Sequence, residues 1–358
     1  MKILALADDA TGALETGARF SEAGLEARVS FESSLIWNGD ALVVDTETRH
    51  LPSEQARQKI YEIATRAKAA RVSHVYKKTD STLRGPIAAE FRALLEVWPE
   101  MPLIYAAAYP ALGRTVRNGQ LLVNGQALAE TVFAADLLNP SRESSISQFL
   151  GGLSDGRVRI CDCETDEELA AIAASAVGTP CLVAGTAALA SAWAGRLVGR
   201  APRAWRPKRT VRNVLVVCGS LHPASREQFH QSGIATLEHC LHATPSDLGA
   251  DLAALITREQ WAGLCTTAVP RGDPLEVAAS LARATAAAIR LAKPDCLVIF
   301  GGDTVFAILR ELAIQEVNAL GEVLPGMPVS ESAGGQLLLT KAGGFGTPDY
   351  LARLRAML

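Results

Sequence analysis

Two short stretches of this chain hold enough polar chemistry to suggest a site. Asp8-Asp9-Ala10-Thr11-Gly12 sets adjacent carboxylates just after the apolar run ILALA, and KKTDSTLRG (77–85) follows VSHVY. The second stretch gathers three cations (Lys77, Lys78, Arg84), one carboxylate (Asp80) and three hydroxyls (Thr79, Ser81, Thr82). Capping the next helix would need only one such side chain. Lys78 and Arg84 can pair with a carboxylate, Arg bidentately, which leaves Asp80 and Ser81 for hydroxyl groups. These are the donors and acceptors of a polyhydroxy-acid site. Asp8 and Asp9, favoured as anions at a helix N-terminus, can cap that helix, bind sugar hydroxyls or accept a proton from one. Arg114, in YPALGRT, is a further anion-binding candidate, and the NGQLLVNG that follows reads as a β-hairpin with Asn-Gly turns.

A second set of junctions is rich in glycine. VLVVC runs into Gly219-Ser220, CLVIF into Gly301-Gly302-Asp303-Thr304, and QLLLT into Lys341-Ala342-Gly343-Gly344-Phe345-Gly346. Glycine lets a ligand approach the backbone, and a helix N-terminus offers free N–H groups to phosphate. Three such loops in one half of the chain point to a nucleotide site. GxxxxGK[ST], GxGxxG, GxSxG and HExxH are all absent, which argues against a P-loop, a dinucleotide fold and common hydrolase machinery.

The elements that must position these loops are legible from periodicity. Short apolar strands alternate with Ala-rich helices: ILALA, ALVV (41–44), HVYK, LIYAA, CLVA (181–184), VLVVC, CLVIF and QLLLT are the strands. Thr165 and Glu168 form a capping box, and Asp273-Pro274 opens another helix. Such strands predict an α/β fold of mostly parallel sheets flanked by helices. At 358 residues the chain is long for one core, and RAPRAWRPKRTVR (200–212) reads as a linker, giving domains 1–205 and 206–358. A composition of 49% hydrophobic and 20% charged residues with net charge -3 gives no bias toward nucleic acid or membrane. No apolar run reaches the ~20 residues of a membrane span. The N-terminus reads as a first strand rather than a signal segment, so the expected location is the cytoplasm. The seven cysteines read as buried thiols. Neither Cys161-x-Cys163 nor EHCLH (238–242) has the paired spacing of a zinc site.

Taken together the loops resemble the four-carbon acid sugar kinase family. The matching stretches are DDATGA (8–13), DTETR (45–49), KKTDSTLRGPIAAE, YPALGRTVRNGQLLVNG, CGS (218–220), GGDTVFAIL and KAGGFG, in the family's order. The resemblance implies an ATP-dependent kinase for erythronate, threonate or 3-oxo-tetronate. It implies an N-terminal domain for the sugar acid, a C-terminal domain for ATP and an active site in the interdomain cleft. It further implies substrate contacts from Asp8, Asp9, Arg49, Lys78, Asp80, Ser81 and Arg84, and ATP contacts from Ser220, Gly301, Gly302, Asp303, Thr304 and Gly343. Asp9 or Asp80 is expected to receive the hydroxyl proton. Mg²⁺ is expected with ATP, its protein ligands unassigned, and the oligomeric state is left open. A lyase or isomerase acting on an acid sugar without ATP, and a non-catalytic nucleotide sensor, are the alternatives.

Overall fold

The computed structural model describes residues 1–32, 35–135, 140–153, 156–239, 244–267 and 273–358. It divides into two compact units, Met1–Arg203 and Ala204–Leu358, and each is α/β.

The first unit opens β1 (Ile3–Ala7), α1 (Ala10–Glu22), β2 (Ala27–Ser30), β3 (Ala41–Asp45), α2 (Ser53–Ala69), β4 (His74–Lys78), α3 (Ile87–Val97) and β5 (Leu103–Ala106). A small antiparallel sheet follows, made of β6 (Arg114–Arg117), β7 (Gln120–Val123) and β8 (Gln126–Ala127). Asn118-Gly119 and Asn124-Gly125 all take positive φ at its turns, as tight hairpins require. Then come α4 (Ile146–Phe149), β9 (Val158–Ile160), α5 (Asp166–Val177), β10 (Leu182–Gly185) and α6 (Ala187–Val198). The main sheet has the order β2-β3-β1-β4-β10-β5-β9 and is parallel throughout. The chain departs from β1 to one side for β3 and to the other for β4, so the end of β1 is a switch point. Ala7 stands opposite Asp45 and Lys78 there, which brings three polar loops out side by side. The capping box of α5 is formed as read from the sequence.

The second unit runs β11 (Val214–Cys218), α7 (Pro223–Gln231), β12 (Ala235–His239), α8 (Pro245–Glu259), β13 (Trp261–Thr266), α9 (Pro274–Ala292), β14 (Cys296–Phe300) and α10 (Gly302–Glu311). It ends with β15 (Glu316–Leu324), β16 (Met327–Ser332), β17 (Leu337–Lys341) and α11 (Tyr350–Met357). Its strands lie in the order β12-β13-β11-β14-β17-β16-β15. The first five are parallel, and β16 is antiparallel to both β17 and β15. The β15–β16 hairpin was not anticipated. Gly321, a bulged register and Pro328 interrupt the alternation that would have revealed it. Strands β11, β14 and β17 are neighbours, so all three glycine loops leave one sheet edge.

Among the described residues no helix is long and apolar enough to cross a membrane. Helices α8 and α9 approach closely at Gly249, where a Cβ would overlap the methyl of Ala287 and lie 3.0 Å from the carbonyl of Ala284. Backbone cannot step aside there. Gly249→Ala should therefore destabilise the second unit by about 1–3 kcal/mol despite its better helix propensity, measured by urea denaturation.

Candidate active site

In the first unit one guanidinium organises the polar loops. Arg49, on the loop after β3, donates Nε to Asp8 Oδ2 at 2.7 Å and Nη1 to Asp9 Oδ2 at 2.6 Å, with Nη2 3.7 Å from Asp80 Oδ2. Burial opposes its charge, but Asp8, Asp9 and Asp80 outweigh that and hold Arg49 well above its ordinary range. Asp9 does cap α1: Oδ1 accepts from Gly12 N at 2.9 Å, while Oδ2 also accepts from Thr11. Burial again works against the anion, and Arg49 and Lys78 overcome it, so its carboxyl lies below the usual range.

Asp80 caps no helix; α3 begins after Pro86 without a side-chain cap. Its Oδ1 accepts from Thr82 N (2.8 Å), Thr82 Oγ1 (2.6 Å) and Arg84 Nε (3.1 Å), and its Oδ2 from Arg84 Nη2 (2.7 Å). Against its burial, Arg84 and then Arg49 pull its carboxyl well below the ordinary range. Arg84 is thus committed to Asp80 rather than held ready for a ligand. Lys78, buried, donates to Thr79 O at 3.0 Å. Its ammonium lies 3.1 Å from where a Cβ on Gly12 would stand, so that glycine clears its path. Ser81 is partly exposed on the same loop. Arg114 lies within electrostatic reach of Asp80 and Arg84; burial lowers its pKa more than Asp80 restores it. Among the described residues neither Lys78 nor Arg114 forms an ion pair.

Two features beneath this cluster escaped the sequence reading. Lys77 points to the opposite sheet face from Lys78 and pairs with Glu90 of α3 at 3.0 Å, both fully buried. Glu90 also accepts from Thr48 Oγ1 at 2.6 Å. Strand alternation was the available signal, because adjacent lysines on one strand cannot share a face. The second is Asp45, the last residue of β3. Burial, then Glu47, pushes its carboxyl well above the ordinary range, and its Oδ2 has no hydrogen-bond partner.

In the second unit the three glycine loops meet. Gly301 caps α10 at φ 105°, a conformation that disfavours any Cβ. A Cβ on Gly343 would overlap Ser220 Oγ, and one on Gly219 would overlap Thr304 Oγ1. Thr304 is accordingly turned inward and buried, whereas Gly302 and Asp303 are exposed on the first turn of α10. His222, which caps α7 through Nδ1, places Nε2 3.2 Å from where a Cβ on Gly344 would stand. The cradle brings Ser220, Gly301, Gly302 and Gly343 together. Among the described residues no group of three or more His, Cys, Asp or Glu could hold a metal ion. Cys240 and His242 of EHCLH lie outside the described residues.

Residues 3–160 match the model of a sugar-binding N-terminal domain, and 268–351 that of a nucleotide-binding C-terminal domain. A D-threonate kinase of Bordetella bronchiseptica is 32% identical over 97% of this chain and 95% of its own. A D-threonate kinase of Salmonella typhimurium is 27% identical over 98% and 97%. A crystal structure from Bordetella bronchiseptica, a domain-swapped dimer with bound citrate, is 28% identical with a TM-score of 0.52, covering 98% of this chain and 97% of that one.

Removing Lys77 alone would strand Glu90 in the core. Lys77→Met should cost about 3–5 kcal/mol, and Lys77→Met with Glu90→Leu should recover most of it, both read by denaturant titration. Asp80 generates a pH prediction. Its carboxyl is depressed in the folded state, so its stabilisation is complete above the ordinary carboxylate range and lost as pH falls below it. Asp80→Asn should be less stable than wild type at pH 7 and should lose less on acidification, as thermal melts from pH 7 to pH 3 would reveal.

Proposed function

The chain belongs to the four-carbon acid sugar kinase family, and on that premise we propose that it phosphorylates a hydroxyl of a four-carbon sugar acid from ATP. Threonate, erythronate and 3-oxo-tetronate are the candidate acceptors. The observation that carries the reading is a pair of cations outside the ion-pair network. Among the described residues Arg49 and Arg84 are bonded to Asp8, Asp9 and Asp80, whereas Lys78 and Arg114 form no ion pair and only lie within electrostatic reach of Asp9 and Asp80. An anionic ligand completes that set. The citrate held by the Bordetella relative is likewise a carboxylic acid.

In this reading residues 1–205 hold the acid and residues 206–358 the nucleotide. Arg114 and Lys78 hold the substrate carboxylate, with Ser81 and Asp8 beside its hydroxyls. Arg84 acts by fixing Asp80. Both carboxylates already accept hydrogen bonds, Asp9 from Arg49, Thr11 and Gly12 and Asp80 from Arg84 and Thr82. Asp9 is taken as the proton acceptor because its side chain is 18% exposed against 7% for Asp80. The bond formed joins the acceptor oxygen to the γ-phosphorus and the bond broken releases ADP. Such a transfer asks for positioning more than basicity, so a depressed carboxylate suffices. Ser220, the first turn of α10 from Gly301 to Thr304, and Gly343 would hold the phosphates, as their close-packed glycines and free helix N-terminus suit. Mg²⁺ would come with ATP, held by phosphate oxygens and water and neutralising their charge; no protein ligand is assigned to it.

ADP release measured over a panel of four-carbon acids tests the assignment. Release should require both ATP and one of these acids, and Asp9→Asn should lower the single-turnover rate by about 10²–10⁴-fold. Conversion of the acid without ATP, or ATP binding with no acid-dependent ADP release, would exclude a kinase.

A further inference from the structure

Beneath the last glycine loop lies a charged group that phosphoryl transfer does not use. Lys341 ends β17 with 1% exposure, and among the described residues it has no carboxylate partner. Its ammonium donates instead to Ser225 Oγ (3.2 Å) and to the carbonyls of Ala342 (3.1 Å), Gly343 (3.2 Å) and Phe345 (2.8 Å). It also stands 4.4 Å from the ring centroid of Phe300 and 6.0 Å from that of Tyr350. From α7, Ser225 Oγ donates to the Gly343 carbonyl at 2.6 Å and Gln228 Nε2 to that of Phe345 at 2.8 Å.

The direction of these carbonyls fixes the direction of the amides. In a trans peptide the carbonyl of one residue and the N–H of the next point opposite ways. With the carbonyls of residues 342 and 343 drawn down to Lys341, the N–H groups of Gly343 and Gly344 are turned away from it. Neither has an acceptor among the described residues. We propose that Lys341 is the positioning residue of a phosphate-binding loop: its ammonium gathers the carbonyls beneath the turn so that two glycine amides face the nucleotide's phosphates. This rests on the assignment of the nucleotide to the second unit.

The groups around Lys341 are Cys218 of β11, His222 at the N-cap of α7, Ser225 and Gln228 of α7, Phe300 of β14 and Tyr350 of α11. None is a carboxylate. Burial pushes Lys341 down to about 8, raises the Cys218 thiol to about 12 and, with the Lys341 charge, lowers His222. Below pH 8 the ammonium supplies three donors; above it the amine has two and sets a lone pair against carbonyls. Nucleotide affinity should therefore fall as pH rises through 8, with proton uptake on binding. The effect on folding has the opposite sign. The unfolded lysine keeps its proton to about pH 10.5, so this group's contribution to stability rises from pH 8 upward. A merely structural lysine would move stability and leave the pH profile of binding untouched.

Calorimetric titration of ADP into the full chain between pH 6.5 and 9.5 tests this, using wild type, Lys341→Met and Lys341→Arg. Wild-type affinity should drop at least about fivefold between pH 7 and pH 9, with proton uptake seen in two buffers of different ionisation heat. Lys341→Met should bind about tenfold or more weakly at pH 7 with a flat profile, and Lys341→Arg should restore affinity at pH 9. A folded Lys341→Met with wild-type affinity overturns the proposal. So does a flat wild-type profile without proton uptake, which decides the matter alone if the variant does not fold. If wild type binds no ADP at any pH, the nucleotide assignment itself fails, and this inference with it.

Discussion

The acid end of the first unit depends on one buried guanidinium. Arg49 bonds Asp8 and Asp9 and reaches Asp80, and so ties together loops from three neighbouring strands. Desolvating any one of these carboxylates alone would be costly; around a shared planar cation the anions sustain each other. The arrangement leaves little freedom. Asp8 has an oxygen without a hydrogen-bond partner, as does Asp45 behind it, and Leu83 in the following loop sits at φ 59°. Unsatisfied groups and strained backbone persist where a ligand or function maintains them.

The second unit reaches its cradle by the opposite route. There the limiting factor is space: Gly219, Gly301 and Gly343 let three loops approach until side chains and backbone of neighbouring turns touch. Charge is supplied below the surface by Lys341, through carbonyls, and phosphate would meet backbone amides instead of side chains. On the proposed function, the first unit would meet a carboxylate with side-chain cations and the second would meet phosphate with backbone dipoles.

Much of this was legible in the sequence because its signals are local. The strands that carry the loops, the capping box at Thr165 and Glu168, and the Asn-Gly turns follow from period and turn chemistry. The polar loops announced themselves by crowding Lys78, Asp80, Ser81 and Arg84 into a strand–helix junction. What local pattern could not give is partnership. Arg84 looks as available as Arg114 in the sequence, yet it is bound to Asp80 four residues away, while Arg114 makes no ion pair among the described residues. Lys77 and Lys78 look equivalent, yet one is locked to Glu90 in the core. Lys341 stood at the head of KAGGFG and gave no sign of pointing inward. The β15–β16 hairpin was hidden by Gly321 and Pro328, residues that break the alternation by which strands are recognised.

On the proposed function, Lys78 and Arg114, which form no ion pair among the described residues, read a substrate carboxylate. A cycle of ligand charge against residue charge tests it most directly: calorimetric affinities of threonate and of neutral threitol for wild type and for Arg114→Ala. Threonate should bind wild type much more tightly than threitol does. Arg114→Ala should weaken threonate but not threitol, with a coupling of at least about 1.5 kcal/mol, the lower range for close charge pairs. Equal binding of acid and polyol, or losses that simply add, would contradict it.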